Sequence, residues 1–229
     1  MRSAQSSPGA PRLLLVPTEL ERRRLLDHGG VPKGFALQHL AGFGPIAAAA
    51  RTAALVECLR PSQVILIGVA GTYDAAEHPV GSALAFTRVA LEGVGVGEGQ
   101  RFLGPPALGF PQWPGEGDGA SRDRVDDLLT LAVPDGVDPA LLLTTCAASD
   151  SKEHAGQRRI RFPEAAAEDM EGFGVALACA IAHVPCSIVR GISNVVGDRE
   201  PSHWRIPSAL AAALELLLDL PLREITPPR

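Results

Sequence analysis

Three carboxylates crowd the segment Glu168-Asp169-Met170-Glu171, directly ahead of Gly172-Phe173-Gly174-Val175-Ala176-Leu177, a run with no polar face. Acids at the start of a helix offset its dipole, and that reading covers Glu168 and Asp169. Glu171 leads into a helix that must be buried all round, so its charge needs a partner. An ionised carboxylate only accepts hydrogen bonds, and a pair of ligand hydroxyls would satisfy it. About twenty residues on, Arg190-Gly191-Ile192-Ser193-Asn194 closes another apolar run, and Gly197-Asp198-Arg199 follows. Polar side chains gathered where a buried strand ends suit a small-molecule site.

Two glycine motifs add backbone chemistry. Gly42-Phe43-Gly44 precedes an alanine-rich stretch, where the free amides of a helix start suit an anion or a hydroxyl-rich ligand. It lacks the third glycine of a dinucleotide fingerprint, and a GxG turn also arises for steric reasons alone. Gly68-Val69-Ala70-Gly71 ends an apolar run, where small residues admit a ligand to the backbone or let the chain turn. Thr18 followed by Glu21 is a capping-box pattern, which puts Glu19 and Glu21 in the first turn of a helix.

The elements that must carry these residues follow from hydrophobic patterning. Residues 1–11 read as a flexible tail and 12–229 as one domain. All-apolar runs at 13–16 and 64–69 predict strands buried on both faces. Further strands are expected at 35–41, 82–91, 141–146 and 186–190, with helices at 18–26, 45–59, 122–131, 169–182 and 207–218. Residues 92–120 hold nine Gly and four Pro and read as a long excursion without a regular element. Strands alternating with helices argue for an α/β fold: a mainly parallel sheet with helices on both faces, its ligand at the carboxyl ends of the strands.

Composition removes several function classes. A net charge of −5 and the absence of a basic stripe argue against nucleic acid as a partner. The longest leading apolar run is Leu13 to Val16, too short for a signal peptide or a membrane span, which predicts a cytoplasmic protein with no membrane partner. Cys58, Cys146, Cys179 and Cys186 are widely spaced and the six histidines are scattered, so neither disulfides nor a metal site is expected, and no cofactor is implied.

The D-M-E-G-F and R-G-I-S-N-V-V-G-D motifs, in this order and spacing, resemble those of the nucleoside phosphorylase and nucleosidase superfamily, and most of all its futalosine hydrolase branch. G-F-G-P-I-A-A-A and G-V-A-G-T support the resemblance, which spans roughly residues 13–220. It implies a three-layer α/β/α sandwich around a mixed, mainly parallel sheet. It also implies hydrolysis of the N-glycosidic bond of futalosine with release of hypoxanthine, a step of menaquinone biosynthesis, by a homodimer or higher homo-oligomer.

By motif, the resemblance makes Glu21 the acid that activates water, with Glu19 as an alternative two residues away. Glu171 would hold the ribose 2- and 3-hydroxyls beside Asp169 and Met170, while Gly42, Phe43, Gly44, Val69, Ala70 and Gly71 would complete the nucleoside site. Asn194 stands where the adenine-releasing nucleosidases carry an aspartate that protonates N7. An amide cannot deliver that proton but can donate to a 6-oxopurine anion. The superfamily's phosphorylases place an arginine on the strand before the G-x-x-G turn. Here that strand reads Val64-Ile65-Leu66-Ile67, which favours water over phosphate. The runners-up are an adenine-type nucleosidase, a purine nucleoside phosphorylase and a non-catalytic nucleoside-binding module.

Only ten residues are aromatic: seven Phe, two Trp and one Tyr. Most lie at loops or beside the motifs: Phe43, Tyr73, Phe102, Phe110, Trp113, Phe162, Phe173 and Trp204. With an aliphatic core, such rings are expected to line the pocket.

Overall fold

The computed structural model describes residues 10–28, 37–116 and 123–221. Among these, nine strands form one sheet: β1 (Arg12–Val16), β2 (Leu37–Leu40), β3 (Gln63–Thr72), β4 (Ala83–Phe86), β5 (Arg88–Leu91), β6 (Leu128–Thr130), β7 (Leu141–Thr144), β8 (Ala165–Asp169) and β9 (Cys186–Val195). The helices are α1 (Glu19–Asp27), α2 (Pro45–Leu59), α3 (Pro105–Leu108), α4 (Lys152–Arg161), α5 (Gly172–Ile181) and α6 (Ile206–Asp219). The order is β2-β1-β3-β8-β7-β5-β6, with β9 pairing β3 and β4. Pairs β1–β2, β1–β3, β3–β9, β5–β7 and β7–β8 are parallel, whereas β3–β8, β4–β9 and β5–β6 are antiparallel.

The all-apolar runs do what two-sided burial requires. Successive side chains of a strand point to opposite faces. Leu13, Leu15, Val64 and Leu66 accordingly pack with α2 and α5 on one side, through Ala48, Leu55, Phe173 and Val175. Leu14, Val16, Ile65 and Ile67 pack with α1 and α6 on the other, through Leu25, Leu210 and Leu214. This is the expected layering, helices on both faces of a mainly parallel sheet.

One irregularity of the sheet creates the site. Along β3, β1 pairs with Gln63–Leu66 and β8 takes over only at Gly71–Thr72. Between these two partners the strand continues on β9 alone. Thus the Gly68–Gly71 motif does not end a strand or turn the chain, as the sequence suggested; it lies inside β3 where the neighbouring strand changes.

Other expectations are corrected. The strand expected at 82–91 is broken at Thr87, whose amide and hydroxyl both donate to the Ala140 carbonyl at 3.1 Å. Its halves then join different neighbours, β4 on β9 and β5 on β7. The helix expected at 122–131 is instead strand β6, antiparallel to β5, in which Leu128 and Thr130 face outward and Leu129 packs on the core. Arg122 itself lies outside the described residues. The Gly/Pro-rich stretch does hold short elements, namely α3, a 3₁₀ turn at Gly99–Arg101 and a bridge between Val96 and Leu103. Within the stretch 1–11, expected as a tail, Ala10 and Pro11 are tied down, because Ser62 donates to the carbonyls of Pro11 and Ala10 at 3.0 and 2.9 Å. Residues 1–9, and Phe35 in the strand expected at 35–41, lie outside the described residues.

Candidate functional site

A cavity of about 320 Å³ opens at the carboxyl ends of β1, β3, β8 and β9, within the size range of small-molecule sites. Glu21, Phe43, Val69, Ala70, Gly71, Asp169, Met170, Glu171 and Asn194, all expected site residues, line it. Gly42 and Gly44 do not. They act at its margin: both have positive φ, at 96° and 84°, the Gly42 amide donates to the Pro17 carbonyl, and the Gly44 amide donates to Glu171 Oε1 at 3.1 Å.

The structure separates the two acids of the first helix. Glu19 lies on the outer side of α1, gripped by Arg22 at 2.6 Å and Arg23 at 2.9 Å, whose hydrogen bonds lower its pKa to about 2. Glu21 is buried and faces the cavity. One of its oxygens closes the expected capping box, accepting from the Thr18 amide at 3.0 Å and hydroxyl at 2.6 Å. The other accepts from the Val69 amide at 3.1 Å, in the interval of β3 where β1 has ended and β8 has not begun. A backbone donor freed by the change of strand partner thereby aims the carboxylate.

Beneath the cavity floor lies Arg190, with no solvent exposure. It is in register with Gly68 of the neighbouring strand. A Cβ at Gly68 would sit 2.2 Å from Arg190 Nη1 and 2.8 Å from Glu21 Oε1, so any side chain there displaces both charged groups. Arg190 Nη2 donates to Asp169 Oδ2 and, at 3.4 Å, to Glu171 Oε2. Its Nε and Nη1 have no hydrogen-bond partner among the described residues. Burial opposes its charge, yet Asp169, Glu171 and Glu21 together raise its pKa. Burial pushes the Glu171 carboxyl up to about 7, against the pull of Arg190 and with Asp169 and Glu21 adding repulsion.

Asp169 does less toward the cavity than its position suggests. Its oxygens are taken by Thr144 Oγ1 at 2.6 Å, by the Gly172 amide at 2.8 Å and by Arg190. It clamps the start of α5 and leaves Glu171, at the N-cap position, turned toward the Gly44 amide.

Across Gly71 the two flanking strands bring Glu168 and Asn194 into one row, Glu168 on β8 and Asn194 on β9. Asn194 Oδ1 accepts from Ser193 Oγ at 2.8 Å and Nδ2 donates to the Val195 carbonyl at 2.9 Å, which leaves the second Nδ2 hydrogen for a ligand. Glu168 also lines the cavity. It accepts from Tyr73 Oη, from the amide and hydroxyl of Ser149 and from buried Arg158, at 2.7 to 3.0 Å.

A match to the Phosphorylase superfamily spans residues 28–225. The chain belongs to this superfamily. It is 35% identical over 199 residues to a futalosine hydrolase of Streptomyces coelicolor, covering 85% of this chain and 81% of that one. It is 33% identical over 210 residues to a futalosine hydrolase of Thermus thermophilus, covering 87% and 90%. In fold it matches a 5′-methylthioadenosine/S-adenosylhomocysteine nucleosidase of Colwellia psychrerythraea, solved in complex with adenine, with a TM-score of 0.71 at 20% identity over 92% of this chain and 94% of that one.

Within this family fold, several site features escaped the sequence reading. Glu168 and Asp169 are not helix-dipole acids, because β8 runs to Asp169 and α5 begins only at Gly172. Strand β8 begins Ala165-Ala166-Ala167, which has no β-branched signature; its pairing with β7 and β3 makes it a strand. Helix α4 has only Ala155 and Arg158 buried and shows no apolar stripe, yet it delivers Arg158 to Glu168. The signal for Arg190 was available: a lone charge inside the apolar run Cys186–Ile192. The aromatic expectation holds for two rings only, since Phe43 and Trp204 line the cavity. Phe86 and Phe173 are core, Tyr73 and Phe162 pack on Ala90, Leu141, Leu143 and Ala165 of β5, β7 and β8, and Phe102 lies under Arg161.

Proposed function

We propose that this chain hydrolyses the N-glycosidic bond of futalosine, releasing hypoxanthine, with Glu21 and Asn194 in the catalytic roles. The observation that carries the reading is the convergence, in one cavity, of two buried carboxylates on separate elements, Glu21 and Glu171, with an amide rather than an acid at Asn194. The similarity to futalosine hydrolases over most of the chain supports the same activity.

Glu21, held by three donors, orients a water molecule and takes its proton as the glycosidic bond loosens toward a ribosyl cation, related in logic to glycoside hydrolysis. Glu171 accepts the two ribose hydroxyls, with Met170 beside it and Phe43, Val69, Ala70 and Gly71 completing the wall. Asn194 donates to the departing purine, whose charge spreads over N7 and O6. Water rather than phosphate is supported by β3, which has no cation before Gly68, and by Arg190, which is fully buried, pairs with Asp169 and Glu171 and does not line the cavity.

Among the described residues no helix is long and apolar enough to cross a membrane. We place the enzyme in the cytoplasm as a homodimer or higher homo-oligomer of a single nucleosidase domain from residue 12 onward, with exposed Phe43 and Ile46 beside the cavity available for a second copy. The test is base release from futalosine, inosine and methylthioadenosine, with and without phosphate. Phosphate-independent hypoxanthine release, fastest from futalosine, is expected. Faster adenine release from methylthioadenosine, a phosphate requirement, or no release at all would each overturn the reading in favour of another family activity or a binding module.

A further inference from the structure

The charges lining the cavity are one-sided. Glu21, Glu168, Asp169 and Glu171 are acids, and among the described residues that line it Arg199 is the only cation. Its guanidinium makes no ion pair or hydrogen bond among the described residues; it lies 4.9 Å from the centre of the Trp204 ring, stacked as a cation on an aromatic face. Both are presented on a braced loop. Trp204 Nε1 donates to the Asp198 carbonyl at 3.1 Å, His203 Nδ1 lies 2.8 Å from Asp198 Oδ2, and the Arg205 amide donates to the Ser193 carbonyl at 2.7 Å, next to Asn194. Apolar Leu20 and Ile206 line the cavity with them.

We infer that Arg199 and Trp204 form a subsite for an aromatic carboxylate, the acid-bearing part of the substrate that lies beyond the ribose. The chemistry is complementary at each point. A guanidinium fork matches a carboxylate, an indole face matches a planar ring, and the acids deeper in the cavity repel an anionic tail from every other position. This inference rests on the proposed hydrolysis of futalosine, whose nucleoside carries such an aromatic acid, and it assigns specificity rather than bond cleavage to Arg199. The subsite would let the enzyme discriminate futalosine from inosine, which shares the base and the ribose but has no acid.

The test compares the full chain with Arg199→Ala and Arg199→Lys on futalosine and on inosine. Arg199→Ala is expected to lower kcat/KM for futalosine about tenfold or more while leaving inosine within about twofold, and Arg199→Lys to recover part of the loss. Equal losses on both substrates, or no loss on futalosine, overturn the inference. A loss that appears only when phosphate is present also overturns it, since Arg199 would then be a phosphate ligand. Titration with benzoate and with neutral benzamide gives a readout independent of turnover. The wild type should bind benzoate more tightly and Arg199→Ala should not distinguish them; absence of that preference in the wild type sinks the subsite. If the preference holds while futalosine is not cleaved, the proposed substrate fails and the subsite stands.

Discussion

Two arginines are buried among carboxylates in this molecule, and their surroundings differ. Arg158 is spent on structure. Its Nη atoms reach Ser149 Oγ, Glu168 and the Ala147 carbonyl, and only its Nε lacks a hydrogen-bond partner among the described residues, facing Glu92 at 3.5 Å. Arg190, more deeply buried, meets Asp169, Glu171 and the flank of Glu21 but leaves Nε and Nη1 without partners. A buried ion pair offsets its desolvation only when the remaining donors are satisfied. The first cluster approaches that condition and joins α4 to the sheet. The second falls short of it beside the two acids proposed to act on water and ribose. Burial, with repulsion from Asp169 and Glu21 added, outweighs the pull of the incompletely paired Arg190 and holds the Glu171 carboxyl up at about 7.

The largest effect that separates the clusters belongs to Glu21→Ala. Removal of a general base should cost ~10²–10⁴-fold in kcat. The melting temperature should stay within a few degrees, because the carboxylate lies at the edge of the Arg190 group; near-normal turnover would remove Glu21 from the mechanism. Next come the arginines themselves. Arg158→Ala and Arg190→Ala should each lose ~3–5 kcal/mol of stability in denaturant unfolding, as buried carboxylates lose their partner. Arg190→Ala should also lose ~10²-fold in kcat/KM through displacement of Glu171, whereas folded Arg158→Ala should keep most of its turnover. Equal turnover in the two variants would erase the distinction.

A smaller effect is read in the pH profile. Glu171 must be ionised to accept two hydroxyls, so kcat/KM should fall about tenfold per unit below about pH 7, a limb that Glu171→Gln should abolish. Stability moves the opposite way. The folded state binds this proton more tightly than the unfolded chain, so the contribution of Glu171 to stability is lost as pH rises from about 4.5 to about 7. Chemical unfolding across that window checks the sign. The smallest effect is expected for Asn194→Asp, which should shift the kcat/KM ratio about tenfold toward aminopurine over oxopurine nucleosides, on the scale of one exchanged hydrogen bond. An unchanged ratio would refute the role of the amide.

The limits of sequence reading show in the same residues. Thr18 and Glu21 form a local pattern, and the capping box appears as expected. The apolar runs around Leu13 and Val64 were legible because two-sided burial leaves no polar alternation. Strand β8 was not, since alanines carry little preference of their own and the ladder alone decides them. For the same reason Glu168 and Asp169 looked like helix-start acids until the strand took them.

By itself the sequence determined the elements written in local periodicity, the order of the motifs and the residue types at the site, including an amide at 194 in place of an acid. Only the tertiary structure decided which acid of α1 faces inward, what a side chain at Gly68 would displace, and that Arg190 is buried beside the site acids while Arg199 lines the cavity. The physical reason is that capping and amphipathicity act over a few residues of chain. Register of β3 with β8 and β9 instead joins residues about 95 to 123 positions apart, and the Val69 amide reaches Glu21 across 48; neither composition nor spacing along the chain encodes those meetings.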